Sequence, residues 1–194
     1  MKIFGLCGSS GSGKTLVGGL FAMEGFAHLD CDKLVHERVY IRADVRQALQ
    51  DTFGADILNE QGVNRKKLGK IVFGDPEKLA LLNDLLRTPI REEIFDELKR
   101  QNAAYALLDA PTLFEAGLDK DCDALIALIS PHNACIERIM SRDGITRAQA
   151  ERRLSRQKDE DFLRRHCDYV LVNDGNIVKL TKQALALAQT LKSL

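Results

Sequence analysis

The sequence lacks several features that mark whole classes of protein. Its 194 residues include no tryptophan and only four prolines, and 28 basic side chains are balanced by 28 acidic ones. Proteins that coat nucleic acid are usually basic, so this balance argues against that role. The longest uninterrupted apolar runs have six residues, as in Ala124–Ile129. A membrane-spanning helix needs about 20 such residues. We therefore expect neither a nucleic-acid partner nor a membrane association.

The cysteines show no spacing that indicates a disulfide framework or a metal site. The five cysteines are Cys7, Cys31, Cys122, Cys135 and Cys167. Their number is odd and no Cys-x-x-Cys pair occurs, whereas secreted scaffolds and zinc sites usually show paired spacing. The N-terminal apolar segment is interrupted by Gly5 and Gly8, which leaves it too short for the core of a signal peptide. We expect reduced thiols, mostly packed in the core, in a cytoplasmic protein.

Short apolar runs alternate with longer amphipathic stretches along the chain. The runs are Ile3–Cys7, Ala27–Leu29, Ala104–Leu108, Ala124–Ile129 and Tyr169–Val172. Short continuous apolar runs are typical of strands covered on both faces. Strands that alternate with helical segments form right-handed crossovers and a parallel sheet. The sequence therefore predicts an α/β fold with five parallel strands and helices on both faces of the sheet.

The segment between the second and third predicted strands is too long for one crossover helix. It runs from about Cys31 to Ala103, and its apolar residues recur at helical spacing. Asp75-Pro76 and Thr88-Pro89 each resemble a helix start, with proline at the first helical position. We therefore predict a helical insertion that contains one helix from Pro76 and another from Pro89, and we expect this insertion to carry the acceptor site.

A second helical stretch runs from Pro131 to about Arg165. Ser130-Pro131 begins it, Asp143-Gly144 breaks it, and Thr146 with Gln149 forms a capping-box pattern that begins the next helix. Between Arg138 and His166 there are nine basic and five acidic residues. Such a basic helical hairpin either binds an anion or forms a solvated charged surface, and the charge count alone does not separate the two.

The segment Gly8–Thr15 carries the most specific chemical motif. It reads Gly-Ser-Ser-Gly-Ser-Gly-Lys-Thr, follows an apolar strand and precedes a helical pattern, which is the context of a phosphate-binding P-loop. Glycines let successive N–H groups point at a phosphate, and the helix N-terminus adds positive potential. The lysine contacts the β- and γ-phosphates, and the threonine hydroxyl is a Mg²⁺ ligand. The candidate nucleotide-binding residues are Gly11, Ser12, Gly13, Lys14, Thr15 and Leu16.

Polar residues follow three of the predicted strands. Asp30 and Asp32 come after the second strand, where a carboxylate can orient an acceptor hydroxyl or take its proton. Asp32 lies farther into the predicted loop and is the catalytic candidate, although two solvated aspartates would give the same pattern. Asp109 ends the third strand, where it can bind Mg²⁺ directly or through water. Asn173 follows the last strand and is a candidate adenine contact, although Asn173-Asp174-Gly175 alone predicts a turn.

The residues that carry a family resemblance extend over nearly the whole chain. The chain resembles the dephospho-CoA kinase family at Gly8–Thr15, Asp30–Asp32, Phe53–Leu58, Asn64–Gly69, Ile71–Phe73, Leu82-Asn83, Asp109–Pro111, Phe114–Leu118 and Arg142–Thr146 with Ala150, Arg153 and Gln157. The P-loop alone would fit many kinases. The patterns from Leu107 to Leu118 and from Arg142 to Gln157 are far more specific to this family.

The resemblance implies one P-loop kinase domain that uses ATP and Mg²⁺. It implies transfer of the ATP γ-phosphoryl group to the ribose 3′-hydroxyl of dephospho-CoA, the last step of coenzyme A synthesis. The sequence carries no indication of the oligomeric state. The implied parts of residues 1–194 are a core at about 1–30, 104–130 and 167–194, a helical CoA-binding region at about 31–103 and a small helical lid at about 131–166.

The resemblance also implies roles for individual side chains. Asp32 would orient or deprotonate the 3′-hydroxyl, and Arg65 would help to hold the acceptor. Arg138, Arg142 and Arg153 lie in the lid segment, and Arg142 is the best candidate for a catalytic contact with a nucleotide phosphate. Arginine suits this role because its guanidinium group binds phosphate through two parallel hydrogen bonds. Asn173 would lie near adenine.

Two segments depart from the usual family pattern. The P-loop begins Gly8-Ser9-Ser10 where the family usually has Gly-Gly-Ile, a form also seen in uridine kinase-like enzymes. The stretch Arg87–Arg91 replaces His-Pro-x-Ile-Arg, so that arginine stands for histidine and Arg91 is retained. We expect Arg87 and Arg91 to bind a phosphate of the acceptor at the predicted N-terminus of the helix from Pro89. The alternative is that Arg87 points into solvent.

Two other functions fit the phosphate motif. A P-loop kinase for another small hydroxyl acceptor, such as a nucleoside, would carry the same loop. A nucleotide-dependent switch would carry it too, but GTPases usually have an Asn-Lys-x-Asp signature, which this sequence lacks.

Overall fold

The chain divides into two units with separate packing. Residues 1–30 and 101–194 form the first unit, and residues 31–100 form the second. The computed structural model describes residues 1–59 and 62–194. In this described part of the chain, no helix has both the length and the apolar character required to cross a membrane.

Seven strands and nine α-helices are found in the described residues. The strands are β1 (Lys2–Cys7), β2 (Ala27–Asp30), β3 (Leu58–Asn59), β4 (Gly62–Val63), β5 (Tyr105–Asp109), β6 (Ala124–Ile129) and β7 (Tyr169–Val172). The helices are α1 (Lys14–Met23), α2 (Cys31–Leu34), α3 (Ala43–Phe53), α4 (Arg65–Val72), α5 (Pro76–Gln101), α6 (His132–Asp143), α7 (Arg147–Leu154), α8 (Glu160–His166) and α9 (Ile177–Lys192).

The first unit is built on a five-stranded sheet with the order β2-β5-β1-β6-β7. All neighbouring strands in it are parallel. The predicted α/β fold with five parallel strands is therefore confirmed. Because β1 is central, its carboxyl end lies between the ends of β5 and β6, with Leu6 paired to Asp109 and Cys7 paired to Ala127. The loop that follows Cys7 therefore begins at the middle of the sheet edge.

The main core of this unit packs α1 and α9 on one face of the sheet. Alternate residues of the central strands, among them Phe4, Leu6 and Leu107, join Val17 and Phe21 of α1. Residues of α9 complete the cluster, namely Leu180, Ala184, Ala188 and Leu191. The intervening strand residues are buried as well, including Ile3, Ala106, Leu108, Ala127 and Ile129. Both faces of the sheet are thus covered, because successive strand side chains point to opposite faces.

The cysteines fit the prediction of core thiols in part. All five are free, and Cys7, Cys31 and Cys135 are buried. Cys122 and Cys167 are partly exposed. Burial raises the pKa of the Cys122 thiol to about 12, so this group stays protonated at neutral pH.

The second unit is mainly helical. It contains α2 to α5, a π-helical turn at Val35–Val39 and a 3₁₀ turn at Ala55–Ile57. The strands β3 and β4 form a small antiparallel ribbon in which Leu58 pairs with Val63. Two-residue strands leave no periodic apolar pattern, which is why the sequence did not predict this ribbon.

The predicted helix start at Thr88-Pro89 is wrong. Helix α5 runs without a break from Pro76 to Gln101, and Pro89 lies inside it. A proline in a helix interior lacks the N–H donor and costs about 3 kcal/mol or more. Apolar side chains at four-residue spacing lie on both sides of it, and Leu82, Leu86, Ile94 and Leu98 are all buried. Burial of this continuous stripe offsets the proline, so the helix continues through it.

Other predicted helix signals are confirmed. Asp75 caps α5, because its side chain accepts hydrogen bonds from the Glu77 and Lys78 backbone N–H groups. Pro131 precedes α6, and Gly144 ends it in the left-handed conformation with φ of 63°. Thr146 and Gln149 form the complete capping box at the start of α7.

Candidate functional site

The loop between β1 and α1 has a shape that requires glycine. Gly8, Gly11 and Gly13 have φ of 155°, 77° and 106°. A Cβ on Gly8 would lie 2.4 Å from the Leu128 carbonyl oxygen, and one on Gly11 would lie 2.7 Å from the Cys135 carbonyl oxygen. Side chains cannot make such approaches without displacing backbone, so these glycines let the loop fit tightly against its surroundings.

Side chains from three other parts of the unit hold the loop backbone from outside. Asn173 donates from Nδ2 to the Ser12 carbonyl oxygen at 2.7 Å. Arg138 donates from Nη1 to the Gly11 carbonyl oxygen at 2.8 Å. Gln157 accepts from the Ser10 backbone N–H at 2.9 Å. Because the C=O and N–H of a trans peptide point in opposite directions, anchoring the Ser12 carbonyl turns the Gly13 N–H to the other side of the loop.

The loop has the groups that a phosphate needs. It leads into the N-terminus of α1, where unpaired N–H groups and the helix dipole favour an anion. The Lys14 ammonium donates to the Gly8 carbonyl oxygen at 2.9 Å, so the charge already lies over the loop. Ser12 is fully buried, and its Oγ has no hydrogen-bond partner within the described residues. These features fit a nucleotide polyphosphate.

Asp109 lies at the end of β5 and is 7% exposed. In the register of the sheet it pairs with Asp30 of β2, so two carboxyl-bearing residues are adjacent on neighbouring strands. Within residues 1–59 and 62–194, no group of three or more His, Cys, Asp or Glu side chains could hold a metal ion by itself. Mg²⁺ commonly uses one or two protein oxygens together with substrate phosphates. Asp109 and the Thr15 hydroxyl, at the first turn of α1, provide donors of that kind.

His28 of β2 reaches the same carboxylate. Its Nε2 lies 3.7 Å from Asp109 Oδ2 and has no hydrogen-bond partner in the described chain. The imidazole occupies the space next to Gly18 of α1, where a Cβ would lie 2.2 Å from Nε2. The sequence did not indicate His28 as part of the site, because a histidine inside a short strand carries no local signal of what it faces.

The predicted lid arginines have different partners. Arg138 bonds the loop carbonyl of Gly11 and the Ser130 hydroxyl, at 2.8 and 2.9 Å. Arg142 is exposed and forms two hydrogen bonds to Asp143, at 2.7 and 3.0 Å. Arg153 also bonds Asp143. Hydrogen bonds from Arg142 and Arg153 lower the pKa of the Asp143 carboxyl to about 2, so this carboxylate stays ionised.

Asn173 is buried beneath the P-loop. Besides its bond to Ser12, its Oδ1 accepts from the Gly175 N–H at 3.3 Å, and its backbone oxygen accepts from the Ser130 hydroxyl at 2.9 Å. The side chain therefore braces the loop, a role the sequence did not indicate. The adenine contact expected for Asn173 stays a prediction.

In the second unit, Asp32 does not lie in a loop as expected. Strand β2 continues to Asp30 and the chain enters α2 at once, so Asp32 is an exposed residue of a helical turn. The charges of Asp32 and Arg65 both influence the pKa of the Tyr40 hydroxyl. Burial raises the pKa of Tyr40, the Arg65 guanidinium opposes that rise, and the Asp32 carboxylate adds to it. The charges of two predicted acceptor residues therefore both influence a tyrosine that the sequence did not single out.

Arg65 is the first residue of α4 and is followed by Lys66 and Lys67. Asn64 caps this helix by accepting from the Lys67 N–H at 3.1 Å. Three consecutive cations at the positive end of a helix dipole repel one another unless an anion is near. This end of α4 therefore has the charge expected of a region that receives a phosphorylated substrate.

The two arginines expected at a helix N-terminus lie instead in the middle of α5. Arg87 is exposed and pairs with Asp84 at 2.8 Å. Arg91 borders a groove of about 450 Å³ that Arg42 and Phe95 also line. No helix begins at Arg87 or Arg91, so the predicted contribution of a helix N-terminus to phosphate binding by these two side chains is wrong.

The chain matches a known family over most of its length. The family model described as dephospho-CoA kinase matches residues 2–179. A dephospho-CoA kinase of Aquifex aeolicus is 36% identical over 185 residues, which are 94% of each chain. One from Fusobacterium nucleatum is 34% identical over 193 residues, which are 98% of this chain and 99% of the relative.

Solved structures have the same fold. The protein TT1252 of Thermus thermophilus superposes with a TM-score of 0.84 at 28% identity, covering 100% of this chain and 97% of that one. A dephospho-CoA kinase of Campylobacter jejuni gives a TM-score of 0.69 at 23% identity, covering 100% and 98%. A shikimate kinase of Acinetobacter baumannii gives 0.53 at 16% identity, covering 100% and 94%, which shows a shared fold alone.

Proposed function

The chain belongs to the dephospho-CoA kinase family, and we propose that it transfers the γ-phosphoryl group of ATP to the ribose 3′-hydroxyl of dephospho-CoA. The products are ADP and coenzyme A, so this is the final step of coenzyme A synthesis. The observation that carries the proposal is the match to this family over residues 2–179, joined to a P-loop whose backbone is held ready for phosphate. A nucleoside acceptor is not favoured, because the match extends through the second unit as well as the P-loop.

On the donor side, the proposed reaction depends mainly on electrostatics. The N–H groups of the loop and the N-terminus of α1 bind the phosphates, and the Lys14 ammonium moves from the Gly8 carbonyl to the β- and γ-phosphate oxygens. Mg²⁺, held by the Thr15 hydroxyl and by Asp109 directly or through water, supplies positive charge to the phosphates when bound. The nucleotide-contacting residues proposed here are Gly11, Ser12, Gly13, Lys14, Thr15, Leu16, Arg142 and Asn173.

On the acceptor side, Asp32 orients the 3′-hydroxyl and accepts its proton. The bond from the γ-phosphorus to the β,γ-bridging oxygen breaks while the new bond to the 3′-oxygen forms, and ADP leaves with the bridging oxygen. Arg65, with the cations beside it at the start of α4, binds the anionic part of the acceptor. Arg91 of α5 also binds the anionic part of the acceptor. Arg87 contributes less to this binding, because its guanidinium is paired with Asp84.

Residues 131–166 serve as the lid in this proposal, and residues 31–100 bind the acceptor. Lid closure excludes water, so the γ-phosphoryl group reaches the 3′-hydroxyl rather than being hydrolysed. The whole chain acts as one kinase domain, and the proposed location is the cytoplasm, where the five free cysteines would stay reduced.

A direct assay tests this function. The purified protein is mixed with ATP, Mg²⁺ and dephospho-CoA, and ADP release is followed together with the mass of the product. We expect coenzyme A, heavier than the substrate by one phosphate, and turnover at least about 10²-fold slower in the Lys14→Ala variant. Uridine in place of dephospho-CoA serves as the competing acceptor. Faster turnover of uridine would reject the proposed substrate and leave the P-loop assignment in place.

A further inference from the structure

A side chain of the lid segment is bonded to the P-loop at two points. Gln157 lies in the turn between α7 and α8, and its Oε1 accepts from the Ser10 backbone N–H at 2.9 Å. Its Nε2 donates to the Ser10 hydroxyl at 3.1 Å. Gln157 and Ser10 are 147 positions apart in the chain. One side-chain amide therefore binds both the backbone and the side chain of a loop residue.

The turn that carries Gln157 is held in place without this contact. The Gln157 N–H donates to the Leu154 carbonyl at 3.0 Å. The neighbouring Lys158 ammonium lies 3.8 Å from a Glu115 oxygen and 4.7 Å from the centre of the Phe162 ring. Asp159 caps α8 by accepting from the Phe162 N–H at 2.7 Å. Removing the Gln157 amide should therefore leave the turn folded.

The hydrogen bonds to Ser10 belong to a set of side-chain hydrogen bonds to three consecutive residues of the loop. Ser10, Gly11 and Ser12 are consecutive, and each is bonded by a side chain from a different part of the unit. Arg138 and Asn173 hold carbonyl groups, whereas Gln157 holds an N–H and a hydroxyl. Without Gln157, Ser10 would be the one member of the three without its side-chain anchor. The outer part of the loop would then sample more conformations before a phosphate binds.

We propose that Gln157 is a positioning residue that holds Ser10 and so keeps the outer P-loop in its phosphate-receiving shape. The inference rests on the proposed function only in taking ATP as the phosphoryl donor. Both contacts use polar atoms of the amide, because Oε1 accepts from the Ser10 N–H and Nε2 donates to the Ser10 hydroxyl. A methionine keeps the length of the side chain without adding charge, but it has no donor and its sulfur is only a weak acceptor.

The test measures ATP affinity apart from turnover. A fluorescent ATP analogue is titrated into wild-type protein and variants without acceptor, and hydrogen exchange is followed in the peptide containing Ser10. We expect Gln157→Ala to weaken nucleotide binding about tenfold and to speed exchange at Ser10, with KM for dephospho-CoA nearly unchanged. Gln157→Met should bind nucleotide no better than Gln157→Ala. Recovery of wild-type affinity by methionine would overturn the proposal, because it would show that filling the space is sufficient.

A matched control separates positioning from folding. Gln149→Ala removes the capping box in the same helical hairpin without touching the loop, so it should lower the melting temperature while leaving nucleotide affinity intact. If Gln149→Ala weakened nucleotide binding as much as Gln157→Ala, general destabilisation of the hairpin would explain the effect and the proposal would fall.

A double-variant comparison tests the contact itself. Ser10→Ala removes the hydroxyl that Nε2 contacts. Combined with Gln157→Ala, it should weaken binding little beyond Gln157→Ala alone, whereas independent sites would multiply their effects. Multiplied effects would overturn the proposal. Absence of dephospho-CoA turnover by the wild type would count against the proposed function instead, because nucleotide affinity is read without acceptor.

Discussion

The P-loop of the first unit and the arginines of α5 in the second unit are both expected to meet phosphates, but their surroundings differ. In the loop, glycines with positive φ fit closely against backbone, and side chains anchor Ser10, Gly11 and Ser12. On α5, Arg87 and Arg91 are exposed side chains of a regular helix, and Arg87 pairs with Asp84.

The difference lies in when conformational entropy is lost. The loop backbone loses its freedom when the protein folds, so a phosphate meets donors that are already oriented. An exposed arginine loses rotamer freedom only on binding, which reduces the net gain from its contact. Changes in the preformed region should therefore affect ATP binding and the rate of transfer, whereas changes on α5 should affect mainly the apparent affinity for the acceptor.

The largest effect is expected at Asp32, the proposed base. Asp32→Asn keeps the shape of the side chain but loses the proton acceptor, and we expect kcat to fall by about 10²–10⁴. ATP affinity should change little. The matched variant Asp30→Asn alters the carboxylate that ends β2 and should cost less. The measurement is steady-state kinetics of both variants, and a larger loss for Asp30→Asn would move the catalytic role from the helical turn to the strand end.

Lys14→Ala should lower kcat by at least about 10², because the ammonium stabilises charge on the phosphates during transfer. The fold should remain, since the Lys14 ammonium is partly exposed and its bond to Gly8 is one of several that hold the loop. The measurements are kcat and thermal unfolding. Turnover near the wild-type rate would mean that the preformed loop does not bind the phosphates during transfer.

The parts of the fold that depend on backbone geometry and regular burial were predictable from the sequence. Continuous apolar runs located the five parallel strands to within a residue or so, and the glycine spacing located the P-loop. Both signals are local, since a strand needs its own apolar residues and a tight loop needs its own glycines. The roles of the site residues stay predictions.

Features that depend on tertiary contacts could not be read in the same way. Proline at position 89 is a local helix-start signal, but burial of the stripe from Leu82 to Leu98 overrides it, and α5 continues. Gln157 and Asn173 bond P-loop residues that lie 147 and 161 positions away, and no pattern near either residue indicates those bonds. The influence of the Asp32 and Arg65 charges on Tyr40 likewise arises only once the helices of the second unit are packed.

Substitutions on α5 should change KM for dephospho-CoA, with a smaller effect than those expected on kcat at Asp32 and Lys14. Arg91→Ala should raise KM for dephospho-CoA about three- to tenfold, which corresponds to the roughly 0.5–1.5 kcal/mol of a typical hydrogen bond, because water screens the charge of an exposed arginine. Arg87→Ala should raise it by less than about twofold, because Arg87 already pairs with Asp84 and no helix N-terminus lies beside it. KM for ATP should stay constant in both. A larger effect at Arg87, with Arg87→His restoring affinity, would restore the phosphate-binding role expected from the sequence.

The smallest expected effect is on the stability of α1, where Gly18 is closely packed and Gly19 is open. A Cβ added at Gly19 would meet no other atom of the described residues within 4 Å, so Gly19→Ala should stabilise the protein by about 0.5–1 kcal/mol through helix propensity. At Gly18 the same change would place Cβ 2.2 Å from His28 Nε2, and the imidazole would have to leave its position near Asp109. Gly18→Ala should therefore give less stabilisation than Gly19→Ala, or a loss.

The double variant shows whether His28 is the reason for that difference. Adding Gly18→Ala to His28→Ala should give a gain close to that of Gly19→Ala, because the small side chain at position 28 leaves room for the new Cβ. The measurement is the free energy of unfolding of the wild type, the two single variants and the double variant in urea. If Gly18→Ala stabilised the wild-type background as much as it stabilises the His28→Ala background, contact with His28 would not explain why glycine stands at position 18.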